Sequence, residues 1–267
     1  MNMKTKNFAA AKAEPYTFPV ESVQQEVIGW IREYFRQNGP GCNAIVGISG
    51  GKDSSVVAAL CVKALGKDRV IGVLMPDGEQ NDIADARQLV EFLGIKSFEI
   101  NICGATSAIQ RGLLTCGITP TTQTTTNLPA RIRMSTLFAV SQSCNGRVAN
   151  TCNMSEDYIG WNTLFGDSAG QFAPLAKLTA TEVVQLAESL GLPDNLVHKA
   201  PADGLTAKTD EDNFGFTYEF LDHYIRTGYY GNDTATAAKI DAMNKRNKFK
   251  LEPMPHFEYY HNDPWRQ

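Results

Sequence analysis

Hydrophobic positions along the chain alternate between short apolar runs and longer stretches with helical spacing. The short runs are Ala44–Val46, Val70–Met75, Phe98–Ile102 and Arg147–Ala149, each of a length suited to a β-strand. Between them, apolar residues recur every three or four positions, as in amphipathic helices. Strands that alternate with helices in this way are typical of βαβ units. The pattern therefore predicts an α/β fold with a doubly wound, mostly parallel sheet flanked by helices.

Turn and cap residues place the ends of the predicted helices. One helix ends before Asn38-Gly39-Pro40, one ends at Leu65, one covers Ala84–Leu93, one runs from Ala130 to Asn145, and one begins at Thr179. The polar stretch Thr119–Thr126 shows neither periodicity and is predicted to be a flexible surface loop. Residues 20–257 are predicted to form a single domain with a C-terminal extension after Pro193, and residues 1–19 a flexible leader.

The stretch Gly47-Ile48-Ser49-Gly50-Gly51-Lys52-Asp53-Ser54 joins the first predicted strand to the next helix. Its two adjacent glycines allow a sharp turn, and the N–H groups at a helix start attract phosphate. Serine hydroxyls and the Lys52 ammonium add hydrogen-bond donors. Asp53 would repel a phosphate unless a divalent metal lay between them, so we predict that Asp53 binds Mg²⁺. The alternative is a glycine-rich turn followed by a polar helix cap.

Two common phosphate-binding motifs do not fit this stretch. A Walker A loop needs Ser or Thr where Asp53 stands and Gly where Val46 stands, and the dinucleotide motif G-x-G-x-x-G is absent. Instead, Ser-Gly-Gly-x-Asp-Ser after a strand resembles the loop of the N-type ATP pyrophosphatases. Enzymes of that group split ATP into AMP and pyrophosphate to activate a carbonyl or carboxyl oxygen.

Composition narrows the remaining classes of protein. The chain of 267 residues has a formal net charge of −4, which gives no general affinity for nucleic acid. No segment is apolar over the length needed to span a membrane. The six cysteines lack paired C-x-x-C spacing, so we expect reduced thiols in a cytoplasmic protein.

Further motifs follow the first loop along the chain. They are Met75-Pro76-Asp77, Asn127-Leu128-Pro129-Ala130-Arg131, Asn153-Met154-Ser155-Glu156, Phe165-Gly166-Asp167, Thr209-Asp210-Glu211-Asp212 and Asn247-Lys248-Phe249-Lys250. With the first loop, they make residues 20 to 257 resemble the ammonia-dependent NAD synthetases, which amidate nicotinic acid adenine dinucleotide (deamido-NAD). The resemblance implies an adenine nucleotide alpha hydrolase-like fold and a homodimer.

The resemblance also implies a two-step reaction. The nicotinate carboxylate attacks the α-phosphorus of ATP to give an acyl-adenylate and pyrophosphate, and ammonia then displaces AMP. It implies that the loop Gly47–Ser54 and Thr151 bind ATP, while Asp53 and Glu156 bind Mg²⁺. Both steps depend on positioning of the substrates and on charge neutralisation. This explains why the motifs contain acids and glycines and no catalytic triad.

By the same resemblance, Arg131 and Lys250 contact deamido-NAD, and Asp167 orients or deprotonates ammonium. Local alternatives remain open for three of these assignments. Glu156 could be a helix cap, Arg131 a solvated helix cation, and Asp167 a turn residue.

The chain also departs from the family pattern. Many members carry an ATP-contacting lysine where Ala180 stands, and Lys177 is a candidate to replace it. No glutaminase region is visible, so ammonia is expected to come from solution or from a separate partner. Other pyrophosphatase-loop enzymes, such as a GMP-synthesising subunit or a tRNA-modifying ligase, and a non-enzymatic nucleotide-binding regulator are the alternatives. Retention of Asp53 and Glu156 favours an enzyme.

Overall fold

Four parallel strands form one sheet in the computed structural model, which describes residues 16–80, 83–199 and 209–257. The strands are β1 (Asn43–Gly47), β2 (Val70–Leu74), β3 (Lys96–Glu99) and β4 (Gly146–Val148), and their order in the sheet is β3–β2–β1–β4. In the register, Ala44 of β1 lies opposite Val70 of β2, and Asn43 lies opposite Gly146 of β4. The predicted parallel α/β sheet is confirmed.

Helices cover both faces of the sheet. Those described are α1 (Val20–Asn38), α2 (Lys52–Leu65), α3 (Ile83–Leu93), α4 (Cys103–Thr115), α5 (Thr122–Ser143), α6 (Met154–Ile159), α7 (Ala180–Ser189), α8 (Asp194–Val197), α9 (Asp210–Phe214), α10 (Tyr218–Thr227) and α11 (Thr234–Asn247), with short 3₁₀ turns at Lys67–Arg69 and Lys248–Leu251. None of the helices in these ranges is both long and apolar enough to cross a membrane.

Alternating residues of β1 face two different cores. Ala44 and Val46 are buried in a core built with α1, α2 and α7, whereas Ile45 is buried in a second core with Met134 and Leu137 of α5. Side chains on a strand point alternately to opposite faces, so one strand serves both cores. The result is a three-layer arrangement with the sheet in the middle.

The path of the chain creates a topological switch point between β1 and β4. From β1 the chain moves outward through β2 to β3, and then returns through α4 and α5 to place β4 on the other side of β1. Open α/β sheets bind ligands in the crevice where the winding reverses, at the carboxyl ends of the strands. The loops after β1 and β4 therefore flank the expected binding crevice.

Two predicted elements are wrong in detail. The stretch 119–126 is not a loop throughout, because α5 begins at Thr122 and runs continuously past Pro129. The Thr121 hydroxyl caps this helix by accepting a hydrogen bond of 3.2 Å from the N–H of Thr124. The apolar pattern begins only after this cap, so periodicity missed the first two turns.

The third strand also has different bounds. It starts at Lys96 and ends at Glu99, whereas the apolar run predicted residues 98–102. Beyond the strand, the N–H groups of Ile100 and Ile102 still donate to the carbonyl oxygens of Leu74 and Pro76. The chain thus stays alongside the loop after β2.

The C-terminal helices α9, α10 and α11 close a third core with α6 and the start of α7. Gly160, which ends α6, has a φ of +70°, and a Cβ there would lie 2.1 Å from the Cβ of Asn247 in α11. This close approach requires glycine. The extension predicted after Pro193 therefore packs on the element that carries Glu156. Most of the predicted leader, residues 1–15, lies outside the described residues, while Phe18 is buried in the first core.

Candidate active site

The loop between β1 and α2 has the geometry of an anion cradle. Gly50 has a φ of +82°, in the left-handed region that glycine adopts without strain. The Ser49 hydroxyl accepts a hydrogen bond of 3.2 Å from the N–H of Gly51 and lies 3.1 Å from the Ser54 hydroxyl. Gly51 caps α2 without a side-chain acceptor, so no capping side chain competes for the N–H groups of the first turn. Such a helix start favours a phosphate.

Two buried serines in the first turn of α2, Ser54 and Ser55, stabilise this loop. The hydroxyls of Ser54 and Ser55 both donate to the carbonyl oxygen of Gly51, at 3.1 and 2.8 Å. Both side chains are almost completely buried. In the described structure these two hydroxyls therefore fix the turn.

Asp53 faces the loop that follows β4. One carboxylate oxygen of Asp53 accepts a hydrogen bond of 3.0 Å from the side-chain amide of Asn153, and the other lies 2.8 Å from the Lys52 ammonium. Asn153 is fully buried, so the contact is fixed by the fold. The structure therefore brings the two strand ends together through Asn153, a residue whose role the motif Asn153-Met154-Ser155-Glu156 does not predict.

Glu156 lies in the first turn of α6, close to Asp53. Its carboxylate accepts from the N–H of Asn153, and the Asn153 side chain accepts in return from the N–H of Glu156, which completes a capping box. Removal from water raises the pKa of Glu156 well above its usual value, and the negative charge of Asp53 raises it further. Glu156 is thus a helix cap and also a neighbour of Asp53.

Lys52 points into the protein. Its side chain is 7% exposed, and its ammonium lies 5.7 Å from the ring centre of Tyr218 in α10. Burial alone would lower the pKa of Lys52, but the carboxylates of Asp53, Glu156 and Asp210 raise it above the usual value. The Tyr218 hydroxyl donates to Asp210 at 3.3 Å. Asp210 belongs to the motif Thr209-Asp210-Glu211-Asp212, but nothing in its spacing indicates an interaction with Lys52.

A second group of predicted residues meets around the segment 160–167. Arg131 in α5 donates to the carbonyl oxygen of Leu164 at 3.2 Å, and Lys250 donates to the carbonyl oxygens of Gly160 and Asn162 at 2.7 and 2.8 Å. The Asp167 carboxylate accepts from the N–H of Thr163 at 2.8 Å and interacts with the charge of Lys250. Arg131, Asp167 and Lys250 are therefore brought to one segment.

Asp167 keeps contact with solvent although protein atoms surround it. This environment desolvates the carboxylate and raises its pKa, and hydrogen bonds from Thr163 oppose the rise only partly. The carboxylate is thus exposed at the segment that Arg131 and Lys250 contact.

Cys152 connects the two groups of residues. Its thiol donates to the backbone carbonyl of Asp167 at 3.3 Å, and burial, followed by the charges of Glu156, Asp167, Asp157 and Asp53, raises its pKa well above the usual value. The loop Thr151–Asn153 thus separates Asp53 on one side from Asp167 on the other. The buried neutral thiol of Cys152 fills the space between these two acids.

Ala180 stands where many family members carry a lysine, and its side chain offers no cation. Ala180 is buried at the start of α7, where its N–H donates to the Ser155 hydroxyl at 2.9 Å. Lys177 is exposed one turn earlier and interacts with the charge of Asp157. Whether Lys177 contacts ATP stays a prediction.

The acids suit a hard divalent cation. Asp53 and Glu156 offer carboxylate oxygens, which Mg²⁺ prefers, and their mutual repulsion would be relieved by a cation. Across the described ranges, no group of three or more His, Cys, Asp or Glu side chains is arranged to hold a metal. A cation here would thus need further oxygen ligands, such as those of a polyphosphate.

Comparison with known proteins identifies the family and agrees with the fold. The NAD synthase family model matches residues 23–254. An NH₃-dependent NAD⁺ synthetase from Pyrococcus furiosus is 37% identical over 206 residues, which cover 77% of this chain and 77% of that protein.

Solved structures match over nearly the whole chain. An NMN synthetase from Francisella tularensis has a TM-score of 0.83 and 31% identity, covering 91% of this chain and 100% of that chain. An NH₃-dependent NAD synthetase from Campylobacter jejuni, in complex with a nitrate ion, has a TM-score of 0.71 and 28% identity, with the same coverage of both chains.

Proposed function

The chain belongs to the NAD synthase family, and on that premise we propose that it catalyses ATP-dependent amidation of deamido-NAD by ammonia. The products are NAD, AMP and pyrophosphate. The observation that carries the proposal is the meeting of the β1 loop with Asp53, Asn153 and Glu156 at the switch point of the sheet. The cradle takes the phosphates of ATP, and the acids stand beside it.

In the first step, an oxygen of the nicotinate carboxylate forms a bond to the α-phosphorus while the bond to the β-phosphate oxygen breaks. The N–H groups at the start of α2 hold the departing pyrophosphate. Mg²⁺ bound by Asp53 and Glu156 would neutralise phosphate charge in this step. Asn153 fixes Asp53 and caps the helix of Glu156, so a single buried amide sets the relative position of both acids.

In the second step, ammonia attacks the acyl carbon, AMP leaves and the new amide nitrogen loses a proton. Asp167 accepts that proton, since its carboxylate is open to solvent and lies at the segment that Arg131 and Lys250 contact. Arg131 and Lys250 flank the segment that carries Asp167 and bind the pyridine nucleotide. Their cationic groups suit a substrate with phosphates and a carboxylate.

We further propose that the protein works as a homodimer, as the family resemblance implies. Sedimentation at micromolar concentration should give twice the mass of the 29.3 kDa chain. A fully active monomer would contradict this proposal.

A second candidate substrate is the mononucleotide that lacks the adenylate half. It is favoured by the Francisella tularensis neighbour, whose name identifies it as an NMN synthetase. The reaction at the carboxyl group would be the same, so Asp53 and Glu156 do not distinguish the two substrates.

Steady-state kinetics with both deamido substrates would distinguish them. The assay contains ATP, Mg²⁺ and ammonium, and amide product, AMP and pyrophosphate are measured together. The proposal predicts a higher kcat/KM for deamido-NAD and equal amounts of the three products. A higher kcat/KM for the mononucleotide would assign the second substrate, and formation of ADP and phosphate would reject both.

A further inference from the structure

Lys52 stands in a phosphate-binding loop, yet its ammonium is turned toward the acids. Its nitrogen lies 2.8 Å from one carboxylate oxygen of Asp53, and the side chain is almost completely buried. A lysine that serves as a phosphate ligand would extend toward the cradle. The direction of Lys52 therefore requires another explanation.

Both oxygens of Asp53 already have donors. The Lys52 ammonium takes one oxygen, and the Asn153 amide takes the other at 3.0 Å. A metal ion that binds Asp53 must displace one donor or share its oxygen. Of the two donors, Lys52 is the one that also repels the cation by charge.

The surroundings hold the Lys52 ammonium in place. Tyr218, itself 5% exposed, packs its ring 5.7 Å from the nitrogen, and its hydroxyl donates to Asp210, which is 6% exposed. The carboxylates of Asp53, Glu156 and Asp210 all attract the ammonium. A cation that is buried, hydrogen-bonded and surrounded by three acids is an internal counter-ion.

We propose that Lys52 acts as this internal counter-ion and makes binding of a divalent cation conditional on the nucleotide. In the free protein, the Lys52 ammonium competes with the cation at Asp53. When a triphosphate enters the cradle, its negative charge offsets the ammonium and supplies further oxygen ligands, so cation and nucleotide bind together. This inference rests on the proposed function in placing the cation at Asp53 and Glu156.

The test is a titration with Mn²⁺ as the probe, followed by electron paramagnetic resonance, with and without α,β-methylene-ATP. The proteins are wild type, Lys52→Met, and the matched control Lys63→Met, which removes an exposed lysine from the same helix. Without nucleotide, Lys52→Met should bind Mn²⁺ at least roughly tenfold more tightly than wild type, within the usual range of coupling between sites. Lys63→Met should match wild type.

Thermal unfolding gives a second readout. Removing the ammonium leaves the half-buried Asp53 beside Glu156 without its counter-charge, so Lys52→Met should have a lowered midpoint that Mn²⁺ restores. The double variant Lys52→Met/Asp53→Asn should lose the gain in Mn²⁺ affinity. If Lys52→Met does not fold, Lys52→Gln provides the same comparison with the side-chain length nearly preserved.

Unchanged or weaker Mn²⁺ binding by the Lys52 variants without nucleotide would overturn the inference. If the variants instead lost affinity for α,β-methylene-ATP alone, Lys52 would be a phosphate ligand. These titrations need no turnover. A wild-type protein that forms no NAD would therefore reject the proposed function and leave the competition at Asp53 to be decided separately.

Discussion

Asp53 and Glu156 lie about a hundred positions apart in the sequence, and the fold places their carboxylates close together. Asp53→Asn and Glu156→Gln should each lower the rate of pyrophosphate release on the order of a hundredfold, as loss of one electrostatic stabiliser does. Glutamine still completes a capping box, so Glu156→Gln should keep its thermal midpoint. Quenched-flow measurement of pyrophosphate, with exposed Glu91→Gln as the control, checks this. A lowered midpoint with unchanged turnover would make either acid structural.

The raised pKa of Glu156 has a consequence for stability. Its usual value is 4.5, and burial and Asp53 hold it well above that in the folded protein. Between pH 4.5 and that raised pKa, the folded protein keeps a proton on Glu156 that the unfolded chain has released. Without metal, stability should fall as the pH rises from about 4.5 through the folded pKa.

The measurement is the thermal midpoint against pH, in the presence of a chelator, for wild type and Glu156→Gln. The variant lacks the titrating group, so its curve should fall less steeply across that range, and it should be at least as stable as wild type at pH 7. A wild-type curve parallel to that of the variant would show that folding does not change the pKa of Glu156.

At the residue scale, the sequence predicts which residues form the site better than it predicts where their side chains point. The loop and its acid followed from residue types and spacing, because glycines, a helix start and a lone carboxylate have few other joint uses. The inward direction of Lys52 did not, because it is set by Asp210 and Tyr218, which lie over 150 positions later in the chain. The link from Asp53 to Asn153 depends likewise on the pairing of β1 with β4.

At the scale of elements, helices α6 and α7 are joined through one carboxylate. Asp222 of α10 accepts from the N–H of Thr181 in the first turn of α7 at 2.7 Å, and from the hydroxyl of Ser155, the neighbour of Glu156. Asp222→Ala should cost about 3 kcal/mol, because one buried and one half-buried donor lose their acceptor. It should also slow pyrophosphate release, since α6 is no longer held.

Chemical denaturation and the pyrophosphate assay measure the two effects. The matched control is Asp233→Ala, which removes an exposed aspartate that caps α11 through Thr236. That variant should lose less stability and keep its turnover. Equal losses in both variants would show that Asp222 is an ordinary cap without influence on the site.

Element prediction succeeded where an apolar pattern was strong and failed where a cap decided the boundary. The strand β2 is buried throughout and β1 is buried at its three central residues, and the positions predicted for both were correct. The start of α5 depends on the Thr121 hydroxyl within a threonine-rich stretch, and helix propensity is unfavourable there. Tertiary packing of the later turns of α5 on β1 and β4 carries the helix through Pro129.

At the scale of the whole molecule, one ion pair joins α7 to α10, and its carboxylate also binds Tyr16 in the segment before α1. Glu182 of α7 is 1% exposed and accepts from Arg226 of α10, at 2.7 Å for one contact, and from the Tyr16 hydroxyl. Burial opposes ionisation of Glu182, but the hydrogen bonds from Arg226, Tyr16 and Thr179 lower its pKa overall. Both carboxylate oxygens of Glu182 therefore have hydrogen-bond donors.

Arg226→Met should destabilise the protein by about 3–5 kcal/mol, because it leaves a buried carboxylate without its partner. Arg246→Met, which removes an arginine from the last turn of α11, is the control. Urea unfolding of both variants gives the free energies. A loss of stability in Arg226→Met no larger than that in the control would mean that the ion pair adds little to the packing of α10 on α7.

The adenylation chemistry proposed for the switch-point site is tested most directly by following the carboxylate oxygen. Deamido-NAD labelled with ¹⁸O in its nicotinate carboxylate is incubated with the protein, ATP, Mg²⁺ and ammonium, and the products are analysed by mass spectrometry. An acyl-adenylate transfers that oxygen to the α-phosphorus, so one ¹⁸O atom should appear in AMP and none in pyrophosphate. Label in orthophosphate together with ADP, or unlabelled AMP alongside NAD, would contradict attack at the α-phosphorus.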